Sequence, residues 1–430
     1  MRTAGEFLKK IYLFGLILGL AWLLAACGGQ TQEVELSTEP VQDQTQEAAS
    51  EAETANYAPE TLAEDACGEN LTWRLSSGGT LTIRGEGEMY DFHTAPWSAE
   101  RENIYRVVVE DGVTGIGENA FSACTQMYSV QLADTVQRIG KGAFAMCAQL
   151  SSVRIPQGVQ TIPERCFESC TQLWSVTLTD QVTVIEARAF HLCDRLSEVK
   201  LPDNLEQIGD EAFAFCDRLY ACRIPASLTQ LGKHVFVRCT RLSRFTVADD
   251  NPAFSADNRG VLFNKDKTQL LVFPYRNEES AYTVPDTVRR IGEGAFAYCD
   301  TLRRVNIPDT VQQIGAAAFY NCNNLETVSL PAGLQVIEQD LFANSESLCE
   351  MDIPASVTQI RAGAFFGCTG LQEIVIPQNV SAIERNAFGN CAQLTVRVEG
   401  KSIAADGWDV YWVDENATVL WVGAIQTLDE

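Results

Sequence analysis

The chain has 430 residues, 46% of them hydrophobic, with 32 basic against 57 acidic residues and a formal net charge of −25. That length exceeds one ordinary core, and the apolar fraction is enough for most of the chain to fold. A chain this acidic is repelled by nucleic acid, and its only histidines, His93, His191 and His234, leave little material for a histidine-based metal centre or catalytic triad.

Arg2, Lys9 and Lys10 precede an apolar run from Ile11 to Ala26, the layout of a secretory signal. The run is short of the roughly 20 apolar residues that span a bilayer. It ends in Leu24-Ala25-Ala26-Cys27, which resembles the lipobox of bacterial lipoproteins. The resemblance implies a signal peptide over 1–26, cleavage before Cys27 and a lipid on the Cys27 thiol, with the membrane contacted through that anchor only. Residues 27–66 then read as an acidic tether. From Gln30 to Ala66 there are ten carboxylates and no Lys or Arg, too little apolar surface to fold and too much like charge to collapse.

Over 67–103, Leu71-Thr-Trp73-Arg-Leu75 and Thr80-Leu-Thr-Ile83 flank Ser76-Ser-Gly-Gly79 and predict a hairpin placed as an N-terminal cap. Residues 104–398 form a repeat. Phe recurs at 121, 144, 167, 190, 213, 236, 296, 319, 342, 365 and 388, in steps of 23 residues with a single step of 60. Three residues after the Phe stands Cys124, Cys147, Cys170, Cys193, Cys216, Cys239, Cys299, Cys322, Cys368 or Cys391, with Ser345 in the remaining copy. In Leu150-Ser-Ser-Val153-Arg-Ile155-Pro156 the alternation predicts a short strand with one buried face, ended by the proline. Val159 and Ile162 turn inward on the return leg, and the segment around Phe144 is expected to pack the back wall as a helical turn. One such coil is stable only when stacked on others, so the fold class is a solenoid with a curved parallel sheet on one wall, its strands about 4.8 Å apart. Twelve strand slots run from Val107-Val-Val109 to Ile374-Val-Ile376.

The pattern Leu-x-x-Val-x-Ile-Pro-x-x-Val-x-x-Ile-Gly-x-x-Ala-Phe-x-x-Cys resembles the BspA-type leucine-rich repeats of bacterial surface proteins, from about Ile104 to Leu394. The resemblance implies a leucine-rich-repeat solenoid, display on the bacterial cell surface, and adhesion to host matrix proteins or other cells, with no shared catalytic residues.

The long step, about 248–281, holds two apolar runs around Lys265-Asp266-Lys267-Thr268 and predicts a β-hairpin insertion. Asp249, Asp250 and Asp257 lack the spacing of a calcium loop and read as turn chemistry. Residues 399–430, with Trp408, Tyr411, Trp412 and Trp421, read as a C-terminal cap. Ten of the 15 cysteines share one repeat slot, where stacked Cβ vectors run parallel, so a ladder of buried thiols is expected in place of disulfides; Cys67, Cys166, Cys222 and Cys349 lie off the ladder, and their pairing is open.

No nucleophile motif, phosphate loop or metal-binding helix is found, so the reading is not an enzyme, with no cofactor and no metal. Residues between inward strand positions point outward from the sheet wall. They include Arg154, Lys200, Arg223 and Asn306, with Arg244, Arg303 and Arg304 nearby, a candidate anion-binding group; Glu198, Glu350, Asp352 and Glu373 share the wall. Tyr128, Trp174 and Tyr220 occupy one repeat position in alternate coils, about 10 Å apart, a spacing suited to an extended chain. The expected function is binding of an extracellular protein or glycan along this wall. An envelope scaffold contacting other bacterial proteins is the alternative, and a glycan-active enzyme the third reading.

Overall fold

The computed structural model describes residues 60–423, of Glu198 the backbone alone. The expected signal peptide, Cys27 and most of the tether lie outside these residues. The tether ends earlier than its composition indicated. Thr61–Ala66 is a strand, antiparallel to Leu71–Ser76, because backbone pairing to a buried neighbour holds even a mostly exposed acidic edge. Leu71–Ser76 pairs with Thr80–Gly85, and the latter runs parallel to Arg106–Val109, so the hairpin covers the first coil.

Each coil then has three sides. The first is the sheet wall, in which Ser152–Arg154, Ser175–Thr177 and Glu198–Val199 pair in parallel, Ser152 opposite Ser175 and Ser175 opposite Glu198. Val153 and Val176 turn inward and are buried, while Arg154 and Thr177 face out. The second side is the return leg, itself a parallel ladder of two-residue strands such as Thr161–Ile162, Val184–Ile185 and Gln207–Ile208. That ladder was not anticipated as a sheet. The Val-x-x-Ile spacing shows which residues turn inward but not that the backbone between them pairs.

The third side carries the turn around each Phe. Ala143, Ala145 and Cys147 donate three residues back, to Gly140, Gly142 and Phe144, as in tight helical turns. Gly142, Phe144 and Met146 instead donate to Glu164, Cys166 and Glu168 of the next coil. The alternation prevents a continuous helix and places two residues per coil, such as Arg188 (φ 59°) and Leu192 (φ 60°), in the left-handed region. Among the described residues the one assigned helix is a 3₁₀ segment, Ser98–Asn103.

Side chains repeat the stacking. Phe144, Phe167, Phe190 and Phe213 lie face to face with centroids 5.2 to 5.5 Å apart. Trp97 stacks at one end of the row on Phe121, and Trp412 meets Phe388 edge-on at the other. The ladder thiols are buried, and those after Cys124 donate to the Phe carbonyl of the coil before: Cys147 to Phe121 at 3.1 Å, Cys193 to Phe167 at 3.2 Å. Ser345 makes the same bond to Phe319 at 2.8 Å.

The long step is a three-stranded meander, one strand more than a hairpin. Phe254–Ala256 pairs antiparallel with Leu262–Asn264, and that strand with Gln269–Val272, which then joins the return-leg ladder beside Arg290–Ile291. Phe273 stacks on Phe296 at 5.1 Å, so a coil resumes one period before Phe296. Gly260 (φ 76°) lies so close that a Cβ there would stand 2.5 Å from the Cβ of Arg244. The turn reading of the aspartates holds for Asp257, whose carboxylate accepts from the backbone of Arg259 and Val261.

Of the twelve strand slots, the one at Glu350–Asp352 makes a single bridge, Thr327 to Glu350. Outward Glu350 stands one repeat before Glu373, and like charges on neighbouring rungs oppose pairing. At the C-terminal side the expected cap continues the coil. Thr395–Glu399 and Thr418–Val422 extend the sheet wall, and Gly407–Trp408 extends the return leg.

Candidate functional site

The outward face of the sheet wall gathers most of the residues expected to bind. Tyr128, Trp174 and Tyr220 are 43%, 51% and 56% exposed, large apolar faces left to solvent. Tyr105 precedes Tyr128 by one coil and extends the row, 41% exposed. It escaped the sequence reading because it stands before the first recognised Phe. Backbone bonds keep the row in register: Tyr128 donates to Tyr105 at 3.1 Å, and Trp174 to Ser151 at 3.0 Å. Arg106 donates to the Tyr128 hydroxyl at 2.6 Å with its guanidinium 5.4 Å from the ring.

The basic group is less positive than its residues taken singly indicate. Arg154 pairs with Asp134 at 2.8 Å and Arg223 with Asp203 at 3.0 Å; Arg303 pairs with Glu326. Lys200, Arg244 and Arg304 have no ion-pair partner among the described residues. Three separated cations make no concentrated anion site, so the middle of the wall is closer to neutral than to basic.

Two charged clusters outside the wall were not foreseen. On the turn side His191 Nδ1 lies 3.4 Å from Glu168, with Arg165 on the same carboxylate and Arg188 on Glu211 at 2.7 Å. Burial works against the Glu168 carboxylate, but the nearby His191 and the hydrogen-bonded Arg165 prevail and hold its pKa below the ordinary range. No nucleophile joins this group, which clamps successive turns. The second cluster bridges the insertion, where a cavity of about 250 Å³ is lined by Lys233, His234, Tyr275 and Glu293. His234 lies 3.2 Å and Lys233 3.3 Å from Glu293. The hydrogen bond with His234 is the main cause of a Glu293 pKa pulled down to about 2.

A depressed carboxylate stabilises the fold above its unfolded pKa and loses that contribution as pH falls through the folded value. Glu293→Gln is therefore expected to lose about 1 kcal/mol at pH 6, after allowance for partial exposure, and to match the parent near pH 2. Denaturant unfolding at both pH values checks this; an equal loss at both would assign the effect to packing.

All fourteen cysteines of the described residues are free thiols, and only Cys349 is exposed. Burial pushes Cys170 and Cys322 up to about 12, which leaves the ladder protonated and unreactive. Alkylation of the folded chain at pH 8 is expected to label Cys349 among these positions, and every one of them after denaturation. Rapid labelling of ladder positions in the folded chain would contradict the burial. Among the described residues no group of His, Cys, Asp and Glu is arranged to hold a metal.

The sequence profile described as "BspA type Leucine rich repeat region" matches residues 99–193, 161–256 and 272–395. The chain is similar in structure to a leucine rich cell surface protein from Faecalibacterium prausnitzii A2-165, with TM-score 0.60 and 28% identity over 80% of this chain and 96% of that one. A leucine-rich repeat protein from Eubacterium ventriosum ATCC 27560 gives TM-score 0.59 and 23% identity over 83% of this chain and 95% of that one. The pneumococcal vaccine antigen PcpA gives TM-score 0.56 and 22% identity over 78% and 87%; these two show the fold alone. No curated protein matches the chain.

Proposed function

Because the chain belongs to the BspA-type leucine-rich repeat family, we propose that it is held at the bacterial surface by a lipid on Cys27 and binds an extracellular macromolecule along its sheet wall. The observation that carries this reading is the row of exposed aromatic side chains on rungs fixed by backbone pairing. A wall of stacked strands offers the same contact at each coil, so weak contacts add along a long partner. The wall takes no part in chemistry, and its role is adhesion to host matrix proteins, glycans or other cells. Cys27→Ser is expected to move the chain from the membrane to the soluble fraction, and retention would contradict lipid anchoring.

The wall is tested with the full chain against matrix proteins and glycans at two salt concentrations. The comparison protein carries Lys200→Glu, Arg244→Glu and Arg304→Glu, the cations with no ion-pair partner among the described residues. Reduced binding by that protein places the ligand on the wall, whereas unchanged binding by it and by a Trp174→Ser variant would remove the wall from the reading. The strand Thr418–Val422 favours a second role, as an envelope scaffold. Leu420, Trp421 and Val422 on it are exposed, and among the described residues it pairs on one side only. Capture of another envelope protein, lost with Leu420→Lys, would support that role.

A further inference from the structure

The row of rings has an internal pattern that narrows what the wall binds. At the one repeat position, aromatic residues alternate with serines: Tyr128, Ser151, Trp174, Ser197, Tyr220, Ser243. Ser151 donates to the Tyr128 carbonyl at 3.2 Å, Ser197 to that of Trp174 at 3.4 Å and Ser243 to that of Tyr220 at 3.2 Å. Each serine hydroxyl is thereby oriented, with lone pairs left to accept from outside. Between successive rings stands the smaller side chain of a serine, whose hydroxyl can accept a hydrogen bond. The same position in later coils holds Ser280, Arg303, Glu326, Cys349 and Gln372, so the pattern belongs to the first half of the solenoid alone.

We propose that Tyr128, Trp174 and Tyr220, with Tyr105 at the end of the row, form a stacking platform for an extended, uncharged glycan. The proposal rests on the sheet wall being the binding face and supplies its ligand class. Four observations support it. Tyr128, Trp174 and Tyr220 stand about two rungs apart, ~10 Å, which matches a ligand whose apolar faces recur every second unit, as the pyranose faces of an extended chain do, while Tyr105, one rung beyond Tyr128, closes the end of the row. Hydroxyl-bearing units between them meet the serine acceptors. Beside the row, Arg154 and Arg223 are paired with Asp134 and Asp203, which leaves polar forks suited to hydroxyl groups and weakens the field that would attract an anion. Finally, the strand Ser175–Thr177, which follows Trp174, is paired on both sides, so at the centre of the row the backbone offers no free edge to an extended peptide. From Tyr128 to Tyr220 the row spans four rungs, ~19 Å.

The test uses the full chain on a printed array of neutral and acidic glycans, with gelatin as the extended-peptide probe. A triple variant, Tyr128→Ala, Trp174→Ala and Tyr220→Ala, is run beside it. These side chains are exposed, and an unchanged circular dichroism spectrum and Tm confirm that the variant folds. Binding to neutral chains that survives high salt, strengthens with chain length, and falls at least about tenfold in the triple variant is the expected result. Binding confined to acidic glycans, lost at high salt, would overturn the uncharged class. Gelatin binding that needs the rings, with no neutral glycan bound, would overturn the glycan while leaving the wall reading intact. Neutral-glycan binding unchanged in the variant would overturn the platform.

Discussion

Phe190→Ala is expected to cost about 3–5 kcal/mol in unfolding free energy, as removal of a fully buried aromatic side chain does elsewhere. Phe190 has no exposed surface and stacks on Phe167 at 5.5 Å and on Phe213 at 5.2 Å. The cavity would open between two coils that each depend on the other for burial, so the loss weakens an interface as well as a unit. Phe190→Leu refills most of the volume and is expected to cost about half as much. Denaturant titration of the three proteins measures this. A loss below about 1 kcal/mol for the alanine variant would mean that the ring row does not hold the solenoid together.

The second large effect falls on a polar residue. Asn251 is fully buried with every polar group used. Its Nδ2 donates to the carbonyls of Pro225 and Leu228 at 2.7 and 2.9 Å, and its Oδ1 accepts from the backbone of Ala253 and Phe254 at 2.8 and 2.7 Å. It thus ties the start of the insertion to the coil before it. Asn251→Ala strands two carbonyls and two N–H groups and is expected to cost about 3 kcal/mol or more. Asn251→Asp keeps the acceptor but turns a carboxylate oxygen toward the two carbonyls, so it is expected to cost at least as much as alanine. Thermal unfolding ranks the three, and an alanine variant as stable as the parent would contradict the assignment.

The coil was legible because its constraint is periodic. A residue buried against its own counterpart in the next coil is bound to recur, so Phe, Cys and Leu at fixed offsets marked the axis, the buried sides and the sheet wall. Features that break the period were harder to see. Phe273 belongs to the ring row, yet Val272 precedes it and Arg276 fills its Cys slot, so the restart of the array inside the long step was hidden. Trp97 and Trp412 continue the row under another residue type and off the 23-residue step.

At the site, exposure of Tyr128, Trp174 and Tyr220 followed from their shared slot, whereas the charge of the wall did not. Arg154 and Asp134, like Arg223 and Asp203, are 20 residues apart, which places each pair on neighbouring coils. That offset was present in the sequence, but it gains meaning only once the turn between strand and return leg is known. The clamp of His191 and Glu168 differs, since each follows its Phe directly and the two are one period apart, so their stacking was legible in the repeat and was passed over.

Hydroxyl-radical footprinting of the full chain, alone and with the glycan or matrix protein it captures, tests most directly which wall binds. Trp174 and Tyr220 face out from the sheet wall, and Met146, 49% exposed, faces out from the turn side as an internal reference. Protection of Tyr128, Trp174 and Tyr220 with Met146 unchanged is the predicted result; protection of Met146 with Trp174 unchanged would contradict the account.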